Sequence, residues 1–354
     1  MADQWTPMSR VTGEIDEIAV RARLLSVEYI DEAEDRSDTM RLRLSDRPVA
    51  GSNAVIAWPD KGKELVLSLG YKETGLVDFG RFRVDDVGYS GPPDVVEIQA
   101  TAAGLSQKIR ARRERSWHRT TLGEIAEKVA ADHDLEPVVD SDLAAVSVPH
   151  VDQRAEGDIA FVNRLARMHD GVAKPVDGKL VLMSRGKARG LFGADPAVTV
   201  IKPHQVTRWR YTEAGRRDPG RAGSEGGVRA FWWDHNEGKR QEYKTGSEPY
   251  EDLPRSFHSE REARAAVSER SNSGQRTRSV VNFTMPGDPT LQTEALLVLE
   301  NWRPNIPPFM RITRVVHNIG SQGYTVQVQA EERPDQIDVA DTVNGASDRV
   351  EDTL

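Results

Sequence analysis

The chain has 354 residues, no cysteine, 38% hydrophobic residues and a formal net charge of -8. The lack of cysteine excludes disulfide scaffolds, thiolate metal sites and thiol nucleophiles, while the length predicts two or three compact units. The sequence has neither a run of about 18 apolar residues nor a leader-like start, so we expect neither a membrane span nor Sec export. Residues 335–354 carry six acids and one arginine, a net of -5, which predicts a flexible acidic tail.

Apolar and polar residues alternate in the first part of the chain, which is typical of half-buried strands. Glycine and proline residues separate the alternating stretches. The pattern predicts an antiparallel sheet, closed into a small β-barrel or sandwich, over residues 1–104. The predicted strands include residues 20–24, 40–44, 65–69 and 82–87.

A helical pattern follows the alternating region. Thr121 and Glu124 match a capping box, and the apolar residues after them recur at helical spacing. A second helix is predicted over residues 158–169, and an Asp-Gly pair predicts the turn of a hairpin over residues 172–183. Residues 105–190 are therefore predicted to form a separate α/β unit.

Alternation then returns and predicts a second β-barrel over residues 191–334. A capping box of Ser259 and Glu262 opens a short helix, inside an insertion of about residues 255–290. Residues 216–227 hold no apolar anchor beyond alanine, which predicts a mobile loop.

Two hairpins that close the two β regions have the same layout. Residues 82–90 and 95–100 close the first region, and residues 310–318 and 324–330 close the second. Because strands of matching length close each region, we infer two related β-barrels that flank the α/β unit.

No sequence motif for catalysis or cofactor binding is present. The chain lacks a phosphate-binding loop, a dinucleotide fingerprint and a nucleophile elbow. The adjacent Asp132 and His133 are a candidate pair of metal ligands. A histidine at a helix end that is solvated or hydrogen-bonded within the protein is the favoured interpretation. We therefore predict no catalytic, cofactor-binding or metal-binding residues, no cofactor and no enzyme.

A basic run with aromatic residues is the best candidate for nucleic-acid binding, but a solvated face or a subunit contact is favoured in an acidic chain. Trp232 and Trp233 are either a binding platform or part of a barrel rim at a subunit contact. The run comprises Lys108, Arg110, Arg112, Arg113, Arg115, Trp117, His118 and Arg119. The candidate subunit or partner contacts are Arg112, Arg113, Trp117, His118, Trp232 and Trp233.

Short segments between residues 80 and 332 form a set with a family resemblance. They are residues 96–105, 115–125, 148–153, 158–161, 164–166, 177–180, 228–230, 238–242, 285–289, 317 and 323–325. As a set they resemble the phage late control gene D protein family, the baseplate hub of contractile tails, which is related to the hub part of type VI secretion spike proteins.

The resemblance implies a mainly β, α+β fold with two tail-tube-like antiparallel β-barrels around an α/β insertion. It implies a homotrimer whose six barrels form a pseudo-sixfold ring between a sixfold tube and a threefold spike. The implied partners are further copies of the chain, the tail tube protein, the central spike protein and baseplate wedge proteins, with the tape-measure protein as a further candidate. No membrane partner is implied, and nucleic acid is disfavoured. The implied location is the tail baseplate of a virion or tail-like particle, after assembly in the host cytoplasm.

Two other functions stay open beside a structural hub. A tail-associated hydrolase acting on the cell wall would need a catalytic domain, yet only about twenty residues follow the recognised region, too few for an added domain. A protein that contacts DNA in the lumen would use the basic run at residues 108–119. The structural hub is the favoured hypothesis.

Overall fold

The fold is described by a computed structural model. The described residues are 5–33, 37–47, 57, 59–103, 109, 111–169, 171–176, 178–184, 198–213, 226–234, 238–276 and 279–332. The predictions for residues 216–225 and for the acidic tail at residues 335–354 lie outside the described residues.

The described residues form twenty strands and five α-helices. The strands are β1 (Pro7–Gly13), β2 (Leu24–Glu32), β3 (Thr39–Ser45), β4 (Glu64–Tyr71), β5 (Gly75–Ser90), β6 (Val95–Ala102), β7 (Arg113–Thr121), β8 (Glu136–Val139), β9 (Ser147–Glu156), β10 (Gly171–Val176), β11 (Lys179–Ser184), β12 (Val198–Ile201), β13 (Arg208–Glu213), β14 (Gly227–Asp234), β15 (Lys239–Thr245), β16 (Tyr250–Phe257), β17 (Ser279–Pro286), β18 (Leu296–Leu299), β19 (Phe309–Gly320) and β20 (Gly323–Glu332). The helices are α1 (Glu17–Arg23), α2 (Leu122–Asp132), α3 (Ser141–Ala144), α4 (Asp158–Arg167) and α5 (Glu260–Arg276).

Strands from both predicted barrel regions lie in one twelve-stranded sheet, the main sheet. Its order is β1-β4-β5-β6-β3-β2-β19-β20-β17-β13, with β18 beside β19 and β12 beside β18. The two regions meet where β2 pairs with β19, with Tyr29 opposite His317. The mainly β prediction is confirmed. Within the described residues the two predicted β regions share this sheet and no closed barrel is found, so the division into two barrels stays a prediction. Joining β2 to β19 satisfies backbone groups that two separate sheet edges would expose.

One apolar core runs under both halves of the main sheet. Alternation places Leu65, Leu67 and Leu69 of β4 in this core with no exposed surface. Met310 of β19 and Val326 of β20 are equally buried in the same cluster. The polar residues between these positions consequently lie on the opposite face of the sheet.

The predicted α/β unit has a core of its own. Helix α2 begins at the predicted capping box, and both hydrogen bonds between Thr121 and Glu124 are present. Helices α2 and α4 pack against the three-stranded sheet β10-β11-β8 and the strand pair β7-β9. The predicted hairpin forms between β10 and β11, with Val176 opposite Lys179.

A third, small core lies outside the main sheet. Strands β15, β14 and β16 form a three-stranded sheet against which α5 packs. Val228 and Phe257 of the sheet and Val267 of the helix are buried together there. Residues 228–233, which the sequence places in the second β region, thus lie in this separate sheet. Alternation identifies a half-buried strand but not the sheet that it joins.

The main sheet contains the same arrangement of four neighbouring strands twice; we call each copy a meander for brevity, although its strands are not all consecutive in the chain. Strands β5-β6-β3-β2 form meander 1, and strands β19-β20-β17-β13 form meander 2, at successive positions in the sheet. The first hairpin of meander 1 has a register shift between Val84 and Asp86, and that of meander 2 has one between Ile312 and Arg314. A β-bulge at a given place in a hairpin is a specific feature of a fold and not a defect. The matching bulges therefore support the internal repeat inferred from the two hairpins.

The pairing registers define which residues of the two meanders are equivalent. Val84 lies opposite Ala100, and Ile312 lies opposite Ala330. From Ala100 the pairing continues through β3 to Tyr29 on β2, and from Ala330 it continues through β17 to Tyr211 on β13. Tyr29 is therefore equivalent to Tyr211. Strand β2 of meander 1 therefore corresponds to β13 of meander 2.

A buried ion network, the Lys174 network, joins the α/β unit to the main sheet. The Nζ atom of Lys174 lies 2.9 Å from Oδ1 of Asp31 and 2.6 Å from Oδ1 of Asp38. Burial raises the pKa of Asp38 to about 7, with the charge of Asp31 adding to the effect and that of Lys174 opposing it. Burial also opposes ionisation of Asp31, but Lys174 and hydrogen bonds from Thr293 hold the pKa of Asp31 below its usual value. In the network Asp31 is therefore ionised, whereas Asp38 loses its proton only near neutral pH.

The raised pKa of Asp38 predicts a pH-dependent stability. The folded state keeps the Asp38 proton up to about pH 7, whereas an unfolded aspartate loses it near pH 4. Stability from this group is therefore present at low pH and is lost as the pH rises toward 7. Asp38→Asn, which resembles the protonated form, is expected to gain about 1–3 kcal/mol relative to the unmodified chain between pH 5 and pH 8.

Urea unfolding at several pH values measures this difference. Asp60→Asn, at an exposed side chain, is the matched control and is expected to run parallel to the unmodified chain. A difference between Asp38→Asn and the unmodified chain that stays constant from pH 5 to pH 8 would contradict the prediction.

Candidate assembly interface

Two edges of the main sheet are candidate contacts with another molecule. On the side that faces away from β20, strand β19 pairs with β18 over residues 309–311 and with β2 over residues 314–319. The equivalent strand β5 pairs with β4 over residues 75–83, and its pairing with β6 continues to Ser90. Residues 86–90 of β5 are thus equivalent to the part of β19 that holds β2. We call residues 86–90 the β5 edge.

Strand β13 forms the second edge, which we call the β13 edge. It corresponds to β2, but it is the last strand in the order of the described sheet. Trp209 on β13 is 42% exposed, and Tyr89 on the β5 edge is 52% exposed. Strand edges and large exposed aromatic side chains both mark sites where another chain binds. Meander 1 therefore presents the β5 edge and meander 2 presents the β13 edge, and the two edges are complementary in the way that β19 and β2 are.

The β2–β19 junction supplies a register for such a contact. In that junction Tyr29 lies opposite His317, and Ile30 lies opposite Val316. The equivalent residues place Tyr89 opposite Tyr211. Sequence reasoning did not single out these two tyrosines, although the matching hairpins at residues 82–100 and 310–330 were the signal from which they could be found.

The structure places most of the basic run on β7, where two of its arginines form ion pairs, while Lys108 and Arg110 lie outside the described residues. Arg115 contacts Asp158, and its Nη1 atom lies 2.8 Å from Asp132. Arg113 lies 3.5 Å from Asp158, whereas Arg112 is exposed. These pairs neutralise part of the run, which weakens the nucleic-acid hypothesis for residues 108–119.

Asp158 is the centre of this ion-pair cluster. Its carboxylate accepts hydrogen bonds from Gln153 at 2.7 Å and contacts Nε2 of His133 at 2.7 Å. Burial opposes ionisation, but these hydrogen bonds and the charges of Arg115 and Arg113 hold the pKa of Asp158 below its usual value. His133, at the end of α2, is therefore held through Nε2 by Asp158, while its buried Nδ1 has no hydrogen-bond partner among the described residues. The structural interpretation of this histidine stays a prediction.

Trp117 and His118 lie at neighbouring positions of β7 but face different surroundings. Trp117 stacks on Phe161 of α4, with ring centroids 6.0 Å apart, and packs on the α/β core. His118 is exposed and stacks on His150 of β9, with 3.0 Å between their Nδ1 atoms. The structure therefore gives Trp117 a packing role, while His118 stays a predicted surface contact.

The two adjacent tryptophans of β14 also differ. Trp232 packs against the small core beneath α5, and Trp233 is 47% exposed. This is the alternation expected of a half-buried strand. It brings neither tryptophan to the β5 edge or the β13 edge, so their role as partner contacts remains a prediction.

The described residues hold no group of three or more metal-ligating side chains placed to bind a metal ion. Nor does any helix among them combine the length and apolar character needed to cross a bilayer.

The fold is that of phage tail proteins. The structure matches a 43 kDa tail protein of a prophage from Shewanella oneidensis with a TM-score of 0.67, over 94% of this chain and 99% of that one, at 13% identity. It also matches a type VI secretion system component of Escherichia coli with a TM-score of 0.53, over 89% of this chain and 77% of that one, at 11% identity.

Sequence comparison points to a more specific resemblance. The chain is 34% identical over 193 residues to a probable baseplate hub protein of Escherichia phage P2, which covers 54% of this chain and 47% of that protein. It is 30% identical over 222 residues to the corresponding protein of Escherichia phage 186, covering 63% and 54%. No protein-family model matches the chain. The resemblance to phage baseplate hub proteins is confirmed, and the chain spans about half the length of the curated relatives it matches.

Proposed function

We propose that the chain is a structural, non-enzymatic subunit of a phage-type baseplate hub. Three copies form a ring with pseudo-sixfold symmetry, which joins a sixfold tail tube to a threefold central spike in a virion or tail-like particle. The proposal is supported by the similarity to hub proteins of phages P2 and 186. The observation that carries it is the duplicated meander with its two complementary edges.

The geometry of the two edges favours a ring of copies. The β5 edge and the β13 edge are different surfaces, so a contact between copies is head-to-tail, which gives a closed ring or an open helix. Each copy supplies two similar meanders, and three copies therefore supply six. In such a ring the backbone has approximate sixfold symmetry toward the tube, whereas the side chains have only threefold symmetry.

Disulfide cross-linking tests the proposed contact. In the transferred register Tyr89 of one copy lies directly opposite Tyr211 of the next, within reach of a disulfide. Because the natural chain has no cysteine, Tyr89→Cys/Tyr211→Cys introduces the only two thiols. Mild oxidation of the purified variant is expected to give covalent dimers and trimers on a non-reducing gel.

Two features make this experiment decisive. An internal disulfide between the two positions would leave the chain a monomer on the non-reducing gel, so covalent dimers and trimers report only a contact between copies. The matched control is Tyr89→Cys/Thr212→Cys, in which a one-residue shift turns one thiol to the other face. Monomers alone, or equal cross-linking of both variants, would refute the contact.

The position in the particle is tested separately. Cryo-imaging of assembled tails is expected to place the chain between tube and spike, beside the tube, spike and wedge proteins. A particle in which the chain is absent from that junction would overturn the hub proposal, and clearing of peptidoglycan by the purified protein would favour the hydrolase instead.

A further inference from the structure

Three arginines line a cavity of about 420 Å³ on the polar face of meander 2. Arg208 and Arg210 come from β13, and Arg314 comes from β19. The lining residues that the structure describes include no carboxylate. At the rim, Nε of Arg314 lies 3.2 Å from Glu32, whereas no ion pair between described residues involves Arg208 or Arg210. The cavity therefore has an excess of positive charge.

Hydrogen-bond donors fill the space between these arginines. The paired strands arrange the side chains in two rows across one face of the sheet. The first row is Arg210, Asn282, Gln329 and Arg314, and the second is Arg208, Thr284, Gln327 and Val316. Arginine, amide and hydroxyl groups together are the side chains that contact phosphate oxygens in nucleic-acid complexes. Arg208 and Arg210 lie about 7 Å apart along their strand, which lets one chain of phosphates contact both.

Meander 1 shows that the fold itself does not require these charges. The residues equivalent to Arg208, Arg210 and Arg314 are Ser26, Glu28 and Asp86. The same backbone arrangement thus carries a neutral group and two acids in one meander and three cations in the other. The backbone arrangement alone therefore does not account for the three arginines, and their clustering around one cavity supports a role in binding a ligand.

We propose that this cavity binds the phosphodiester backbone of a nucleic-acid strand through Arg208, Arg210 and Arg314. The described lining consists of cations, donors and a few apolar groups, which suits an anionic chain bound without regard to base sequence. The site differs from the basic run on β7, where Arg113 and Arg115 are engaged with Asp158 and Asp132. It does not depend on the hub proposal, because it needs only one copy of the chain.

Fluorescence anisotropy of the full chain with a labelled 20-nucleotide DNA strand tests this inference. Arg208→Ser/Arg210→Gln is expected to weaken binding at least tenfold at 50 mM salt and to reduce its salt dependence. Position 208 then carries the serine that meander 1 has at position 26, so the substitution suits the fold. The matched control is Arg43→Thr/Arg81→Gln, which removes two exposed cations of the main sheet outside the cavity and is expected to change binding less than twofold.

Several results would overturn the proposal. One is a lack of salt-dependent DNA binding by the unmodified chain, and another is an equal loss in both double variants. Binding of polyglutamate as tightly as the DNA strand would assign the cavity to an acidic polypeptide instead. Circular dichroism of each variant shows whether it is folded, and single substitutions Arg208→Ser and Arg210→Gln replace the pair if the double variant is not.

Discussion

Lys174→Met is expected to lower the free energy of unfolding by about 3–5 kcal/mol, the usual cost of removing one partner from a buried ion pair. The substitution keeps much of the side-chain volume but leaves Asp31 and Asp38 without their shared cation. Asp31 is 3% exposed, and its carboxylate also accepts a hydrogen bond from Thr293 at 2.8 Å. Because the network ties β10 of the α/β unit to both halves of the main sheet, the loss affects all three regions. Urea unfolding followed by tryptophan fluorescence measures it.

The control for this variant lies on the next strand of the same hairpin. Lys179 is 33% exposed and lies 3.6 Å from Glu136, so Lys179→Met is expected to cost less than about 1 kcal/mol. A second variant, Lys174→Met/Asp31→Asn, removes one of the buried charges and is expected to recover part of the loss. Equal destabilisation by the two single lysine variants would show that the Lys174 network contributes no more to the free energy of unfolding than an exposed ion pair does.

Arg311→Met is expected to destabilise the chain by a similar amount, about 3–5 kcal/mol. Nη1 of Arg311 lies 2.8 Å from both carboxylate oxygens of Glu294, and its Nη2 lies 2.5 Å from Glu331. The Arg311 side chain is 5% exposed and that of Glu294 is 9% exposed. Removing the guanidinium therefore leaves buried carboxylate charge without a partner. Chemical unfolding at neutral pH measures the effect.

The internal repeat supplies a close control for Arg311. Arg83 occupies the equivalent place before the bulge in β5, but its side chain is 38% exposed and lies 3.6 Å from Glu64. Arg83→Met is expected to cost less than about 1 kcal/mol. The same substitution at the same place in two copies of one hairpin thus compares a buried arginine that binds two carboxylates with an exposed arginine near one. A result in which both variants lose equal stability would mean that burial of the ion pair is not the cause.

Local signals in the sequence predicted several elements well, but the strand predicted over residues 20–24 is wrong, because residues 20–23 lie in helix α1, which Asp16 caps. The capping box at Thr121 and Glu124 gives the start of α2, and the Asp-Gly pair gives the hairpin of β10 and β11. Each depends on residues a few positions apart, so neighbouring side chains are sufficient to define it. The identification of matching hairpins at residues 82–100 and 310–330 also succeeded, because alternation and strand length are retained in both copies.

The arrangement of the elements could not be predicted in the same way. Alternation shows which face of a strand is buried but not which strand lies beside it, so the shared sheet at β2 and β19 was missed. The Lys174 network joins residues 143 and 136 positions apart, with no local pattern to indicate it. For Arg113 and Arg115 the run of charge was visible, but Asp158, which neutralises them, comes from a distant helix.

The doubled meander has a consequence for how this chain can change in evolution. In a ring of identical single-meander subunits, every substitution would appear in all units at once. Here the two copies are encoded separately, so one face can acquire Arg208 and Arg210 while the other keeps Ser26 and Glu28. The backbone stays constrained by a common architecture, whereas the surface chemistry of each copy is free to diverge. Duplication inside one gene thus gives the molecule the versatility of a heterodimer without a second gene.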